Sequence, residues 1–122
     1  MRKITSTNFE NEKFLEYDCP FITTLRFIGK RWKPAVLWKI NQGYIRFKLL
    51  KQVLPLISDK MLSATIREME TDGIIQKEVF DEVPLRVEYK LTEFGKELLP
   101  ILKEMNEWGM KTIEKITSHN KV

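Results

Sequence analysis

The chain of 122 residues holds one cysteine, one histidine, and only five glycines and five prolines. One cysteine cannot build an internal disulfide framework, and one cysteine with one histidine cannot supply the ligands of a zinc site. The lone histidine, His119, stands in a polar tail. There is no Ser-His-Asp set, no glycine-rich phosphate loop and no Gly-x-Ser-x-Gly turn. Acids are plentiful but fall on outer faces of the predicted helices, with no partner for acid–base work. These absences leave an enzyme nothing to rest on, and neither a metal nor a cofactor is expected. No apolar run is long enough to span a bilayer. Residues 1–16 are polar and lack the apolar core of a secretory signal, so the expected compartment is the cytoplasm and no membrane role is expected.

Acids are also nearly missing from the middle of the chain. From Lys30 to Arg67 there are nine basic residues (Lys30, Arg31, Lys33, Lys39, Arg46, Lys48, Lys51, Lys60, Arg67) and one acid, Asp59. From Glu68 onward acids outnumber bases, twelve to eight. The net charge of +4 is mild, but its concentration in the first half is what a nucleic-acid footprint requires. With 43% hydrophobic and 31% charged residues, the length suits one domain spanning 1–122 with a modest core.

Residues 55–91 organise the rest. Pro55 stops the helix before it, Ser58 can cap a new one with Asp59 in its first turn, and Gly73 supplies the stop. Leu62, Ile66 and Met69 recur at helical spacing as an apolar stripe. On the opposite face stand Lys60, Ala64, Arg67 and Thr71, with Ser63 beside them. That face carries two cations, small residues and hydroxyls and no acid, the pattern of a helix that enters a DNA groove. The candidate base-contacting residues are Ser58, Lys60, Met61, Ser63, Ala64 and Arg67, and Arg46 of the basic band is a further candidate DNA contact. After Gly73, residues 74–80 read as a strand and Asp81-Glu82-Val83-Pro84 as a turn. Arg86 to Leu91 then alternates, with Val87, Tyr89 and Leu91 on one face. A helix followed by a charged hairpin is the back half of a winged helix-turn-helix, and Arg86 is the candidate phosphate contact of the wing.

Upstream, residues 1–13 look frayed, with Phe14 and Tyr17 available to a partner. Asp18-Cys19-Pro20 reads as a helix start, followed by Phe21, Thr24, Leu25 and Ile28 and a stop at Gly29. Lys30-Arg31-Trp32-Lys33-Pro34 opens a second helix with Ala35, Val36, Leu37, Trp38 and Ile40 in its core and Gly43 as its stop. Tyr44-Ile45-Arg46 is short and extended and could add a third strand. Phe47, Leu50, Val53 and Leu54 form another helix, and four residues separate it from the Ser58 helix, as in a helix-turn-helix. Downstream, Thr92 caps a helix over 92–118, bent at Pro100. Phe94, Leu98, Ile101, Leu102, Met105 and Trp108 make a stripe, widened by Ile113 and Ile116. It is longer than a small domain needs for its own core, so it is expected to pair with a second copy.

These residues resemble the HxlR-type transcriptional regulators, a bacterial winged helix-turn-helix group akin to MarR. The resemblance runs from Cys19 to about Gly109. Its carriers include Cys19-Pro20, Ile28-Gly29, Arg31-Trp32, Arg46-Phe47, Leu54-Pro55, Lys60-Met61-Leu62, Glu70-Thr71-Asp72-Gly73, Pro84, Gly95, Pro100 and Trp108-Gly109. It implies a mainly α fold with a small hairpin wing, and a homodimer held by the N- and C-terminal helices. The Ser58 helix would lie in the major groove of a pseudo-palindromic operator. An alternative is a winged-helix protein-interaction module without DNA binding, against which the basic band argues. The chain departs from the family pattern at Lys30 and Leu56, where glycine is common, and at Leu49, where an acid is common. Cys19 stands where some relatives carry a thiol that senses oxidants or electrophiles. Here it fits either a buried packing residue or such a sensor.

Overall fold

The computed structural model describes residues 19–120. The fraying expected for 1–13 and the roles expected for Phe14, Tyr17 and Asp18 lie outside the described residues. Helix α1, Pro20–Ile28, opens with its proline in the first turn, where a missing N–H is harmless. The N-cap position is Cys19, whose side chain makes no capping bond. Gly29 closes α1, its N–H donating to the Leu25 carbonyl oxygen at 2.6 Å. A Cβ there would lie 2.3 Å from that oxygen, so no larger residue fits without moving the backbone.

Helix α2, Lys33–Asn41, starts only at the fourth residue of the stretch expected to open it. Lys30 is the reason. Its φ of 70 is left-handed, the only such non-glycine among the described residues, and it breaks the helical path. A glycine would adopt this conformation without the penalty that a Cβ brings. Leu56 carries no such strain, since the positive-φ residues described are Lys30, Gly43 and Gly73.

Val36, Leu37 and Ile40 of α2 are buried, whereas Ala35 and Trp38 are only half-buried. Helix α3, Phe47–Val53, and helix α4, Asp59–Thr71, form the helix-turn-helix. Leu50 and Ile57, with Leu62, Ile66 and Met69 of α4, join the α2 residues in one core. The hairpin pairs β1, Ile75–Phe80, antiparallel with β2, Arg86–Leu91, in register from Ile75 opposite Leu91 to Phe80 opposite Arg86. Its inner end enters the core through Ile75 and Leu91, while Val79 near the tip is exposed. The sheet has two strands. The third strand expected at Tyr44–Arg46 reduces to one bond, the Tyr89 N–H donating to the Ile45 carbonyl at 2.8 Å. Phe47 begins α3 at once, leaving no length for a second rung.

Thr92 ties the hairpin to the C-terminal helices. Its hydroxyl donates to the Gly73 carbonyl at 2.6 Å and accepts from the Gly95 N–H at 3.0 Å. The helix expected over 92–118 is two helices, α5 at Glu93–Lys96 and α6 at Leu99–Asn120. The chain does not bend at Pro100; it breaks ahead of it. A proline has no N–H to continue the ladder, and its ring clashes with the carbonyl four residues back. It settles instead in the first turn of α6. Among the described residues no helix is long and apolar enough to cross a membrane.

Candidate nucleic-acid interface

Burial divides α4 as its periodicity requires. Leu62, Thr65, Ile66 and Met69 are buried; Lys60, Met61, Ala64, Arg67 and Thr71 are exposed, and Ser63 is half-buried. Ser58 Oγ accepts from the Met61 N–H at 3.0 Å, satisfying one of the free donors of the first turn. The Thr71 hydroxyl donates back to the Arg67 carbonyl at 2.9 Å. Lys60 and Arg67 have no side-chain hydrogen bond or ion pair among the described residues. Two extended cations therefore stand free on a face without acids.

Glu68, and Asp72 just past the end of α4, are held by a clamp that the sequence does not reveal. Lys33, expected to belong to the basic band, is 2% exposed. Its Nζ lies 2.8 Å from Glu68 Oε2 and 3.1 Å from Asp72 Oδ2, and donates to the Arg26 carbonyl at 2.8 Å. Lys30 adds a second cation to Glu68 at 2.8 Å. The Glu68 carboxyl is held below the usual carboxylate range, first by its hydrogen bond from Lys30 and then by that from Lys33. Glu68 and Asp72 are four apart on one flank of α4, so one lysine reaches both. That spacing is the one signal the sequence offers; a partner 39 residues away is not readable from it. Lys51 is also engaged, pairing with Asp59 at 3.2 Å and donating to the Ile57 carbonyl across the turn between α3 and α4.

The wing departs from expectation at Arg86. Its guanidinium pairs with Glu82 at 2.9 Å and Glu88 at 2.5 Å and lies 3.7 Å from the centre of the Phe80 ring. The hydrogen bond from Arg86 holds Glu82 low and the two acids hold Arg86 high, so the charges stay fixed on one another. An arginine saturated by two carboxylates offers little to phosphate. Its geometry shapes the hairpin instead. Arg46 makes a longer contact with Glu88, 3.7 Å, and remains half-exposed. It borders a groove of about 490 Å³ between the start of α3 and the wing, together with Lys48. Lys48 is exposed and has no ion pair among the described residues. In the sequence it is one cation of the basic band among nine, and only the groove sets it apart.

The residues expected to face a second copy divide in two. Leu102 is 3% exposed and belongs to the core, Leu98 packs partly against that core, and Phe94 meets Phe27 edge-to-face at 5.3 Å. Leu102 is thus unavailable to a partner, because α6 lays its first turns on α2. Ile101, Met105 and Trp108 are exposed, Trp108 by 70%, and the stripe continues through Ile113 and Ile116. On α1, Phe21 and Leu25 are exposed as well. Cys19 is free and half-buried at the start of α1.

Comparison with known proteins places this arrangement among helix-turn-helix regulators. The model of the HxlR-like helix-turn-helix family matches residues 27–117. The helix-turn-helix-type transcriptional regulator YdeP of Bacillus subtilis (strain 168) is 43% identical over 98 residues, 80% of this chain and 77% of that protein. The structure of the redox regulator HypR in its oxidised form superposes with a TM-score of 0.73 at 43% identity, covering 76% of this chain and 96% of that one. The reduced form of the transcriptional regulator YodB from B. subtilis superposes with a TM-score of 0.65 at 35% identity, covering 74% and 89% respectively.

Proposed function

The chain belongs to the HxlR-like helix-turn-helix family of transcriptional regulators, and from that premise we propose that it acts as a single-domain, cytoplasmic homodimer on a pseudo-palindromic operator. One observation carries the reading. The outer face of α4 presents Lys60 and Arg67 unpaired, while the nearby acids are drawn away by Lys30 and Lys33. Helix α4 enters the major groove, with Ser58, Lys60, Met61, Ser63, Ala64 and Arg67 nearest the bases. Arg46 and Lys48 face phosphate beside the wing. Two-fold symmetry sets half-sites roughly one or two helical turns apart. Phosphate contacts supply most of the affinity and α4 the specificity.

Two arginines separate this reading from a protein-interaction module. Arg67→Ala should weaken operator binding by about 1–3 kcal/mol and random-sequence binding by less. Arg86→Ala should leave the dependence of binding on salt nearly unchanged, because its donors belong to Glu82 and Glu88. Titrations of labelled operator and random duplexes at several salt concentrations check both. If Arg67→Ala changes neither affinity, α4 is not the interface. A salt slope shallower by about one unit in Arg86→Ala would return that residue to phosphate contact.

The dimer is supported by the exposed stripe Ile101, Met105, Trp108, Ile113 and Ile116 on α6 and by Phe21 and Leu25 on α1. Truncation after Pro100 would also strip Leu102 from the core, so surface substitutions test the dimer better. Met105→Glu with Trp108→Glu should raise the dimer dissociation constant at least about 30-fold, roughly 2 kcal/mol. The circular dichroism spectrum should be unchanged. A variant still dimeric in sedimentation at micromolar concentration would refute this interface.

Cys19 lies at the start of α1, on the helix whose exposed Phe21 and Leu25 belong to that interface. Diamide would take two electrons from the Cys19 thiol and a second thiol, that of the other copy's Cys19 or of a small molecule, to form an intermolecular disulfide; this, or alkylation, would move α1 and with it the spacing of the two α4 helices. Diamide should lower operator affinity of the wild type and leave Cys19→Ser unaffected. Equal responses of the two proteins would make Cys19 a packing residue.

A further inference from the structure

The polar inventory of α4 limits which base edges it can read, a limit that rests on the DNA-binding role proposed for this helix. Between Ser58 and Thr71 there is no asparagine or glutamine, the side chains that pair with adenine bidentately. Of the carboxylates, which accept from cytosine, Asp59 pairs with Lys51 and Glu68 with Lys30 and Lys33, and Glu70 is half-buried on the flank of the helix. The Ser58 oxygen caps the helix and the Thr71 hydroxyl is returned to the backbone. Lys60 and Arg67 remain for the acceptors of guanine. The Ser63 hydroxyl is half-buried and, able both to donate and to accept, favours no one base; beyond these polar groups, what the first two turns expose is apolar. Ala64 lies between Lys60 and Arg67 on the exposed face, and Met61 beside it is 47% exposed despite its size. Leu56, two residues ahead of the cap, is 85% exposed. An apolar side chain on a face that enters a groove gains by meeting an apolar surface there. The major groove offers one such group, the 5-methyl of thymine.

We propose that Met61 and Ala64 form an apolar patch that reads thymine methyl groups, so that A·T pairs in each half-site are recognised through thymine and not through adenine. Ala64 lets the helix approach closely, and Met61 adapts its unbranched side chain to the methyl. The cations on either side of Ala64 then fix guanines near these thymines.

The test replaces each thymine of a selected operator, one at a time, by deoxyuridine. This removes the methyl and leaves every Watson–Crick hydrogen bond. With the wild-type dimer, one or two positions per half-site should lose about three- to tenfold in affinity, the scale of one buried methyl. In Met61→Gln or Ala64→Ser the penalty at the corresponding position should vanish, whatever the variant's own affinity for the unsubstituted operator. Tight operator binding that no deoxyuridine weakens would overturn the methyl reading and leave DNA recognition by α4 standing. A deoxyuridine penalty that persists undiminished in both variants would assign the methyl contact elsewhere and overturn the role of Met61 and Ala64. If selection yields no preferred sequence and the wild type binds all duplexes alike, sequence-specific DNA recognition fails, and thymine reading fails with it. The scan itself uses unmodified protein, so it stands even if a variant folds poorly.

Discussion

Neutralising both acids of the clamp, Glu68→Gln with Asp72→Asn, should destabilise the fold by about 3–5 kcal/mol. Removing the cation alone, Lys33→Met, should cost less, about 1–2 kcal/mol. The asymmetry follows from exposure. The Lys33 side chain is 2% exposed, and without its two acids its ammonium would stay buried with the Arg26 carbonyl and neutral amides for company. In the opposite case Glu68 keeps Lys30 at 2.8 Å, and both carboxylates have access to water. Combining all three substitutions should recover most of the loss, since a methionine of similar length then packs against uncharged neighbours. Urea denaturation of the four proteins checks the series. A Lys33→Met protein less stable than the double variant, or a triple variant with no recovery, would contradict the account.

The clamp also sets a pH dependence. The folded carboxyl of Glu68 lies below its unfolded value, so the unfolded chain binds its proton more readily. Its contribution is fully present above about pH 4.3, the unfolded glutamate value. It is lost as pH falls through the lowered folded value. Glu68→Gln should therefore flatten the acid limb of the stability curve.

Gly95→Ala should be the most damaging single methyl addition, with a loss of about 3 kcal/mol or more, at the upper end of overpacking costs. An added Cβ would stand 2.0 Å from the Ile74 carbonyl oxygen and 2.9 Å from its carbon. Both atoms are backbone, and neither can rotate away. The same oxygen accepts from the Thr92 N–H at 3.1 Å, so moving it would also loosen the junction of α4, β1 and α5. In contrast, nothing lies within 4 Å of a Cβ built at Gly109. Gly109→Ala, in the middle of α6, should cost far less in the same denaturation experiment, because no backbone of its own chain stands in the way and alanine is the better helix former. Equal effects at the two glycines would show that the 95–74 contact is looser than its geometry indicates.

Most of the helices, the Ser58 and Thr92 caps and the two strands of the hairpin were legible because each depends on residues a few positions apart. The Ser58 cap, the Leu62–Ile66–Met69 stripe, the Gly73 stop and the alternation from Arg86 to Leu91 are of this kind, and the acid-free face of α4 followed from the same periodicity. The break before Pro100 was partly legible: proline announces an interruption, and its place in the first turn of α6 follows from where the ladder can restart. Long-range pairing was not legible. Lys33 looks like one more surface cation until α2 packs on α4 and buries it against Glu68 and Asp72. Arg86 looks free until the hairpin closes and sets it between Glu82 and Glu88. Leu102 reads as one more rung of a partner-facing stripe, yet the way α6 lies on α2 turns it inward. A sequence determines which side chains are charged or apolar and which face of an element they share. Whether a charge meets phosphate or a carboxylate, and whether an apolar face meets its own core or another copy, is decided only when elements distant in sequence come together. Burial and ion pairing are properties of that three-dimensional neighbourhood.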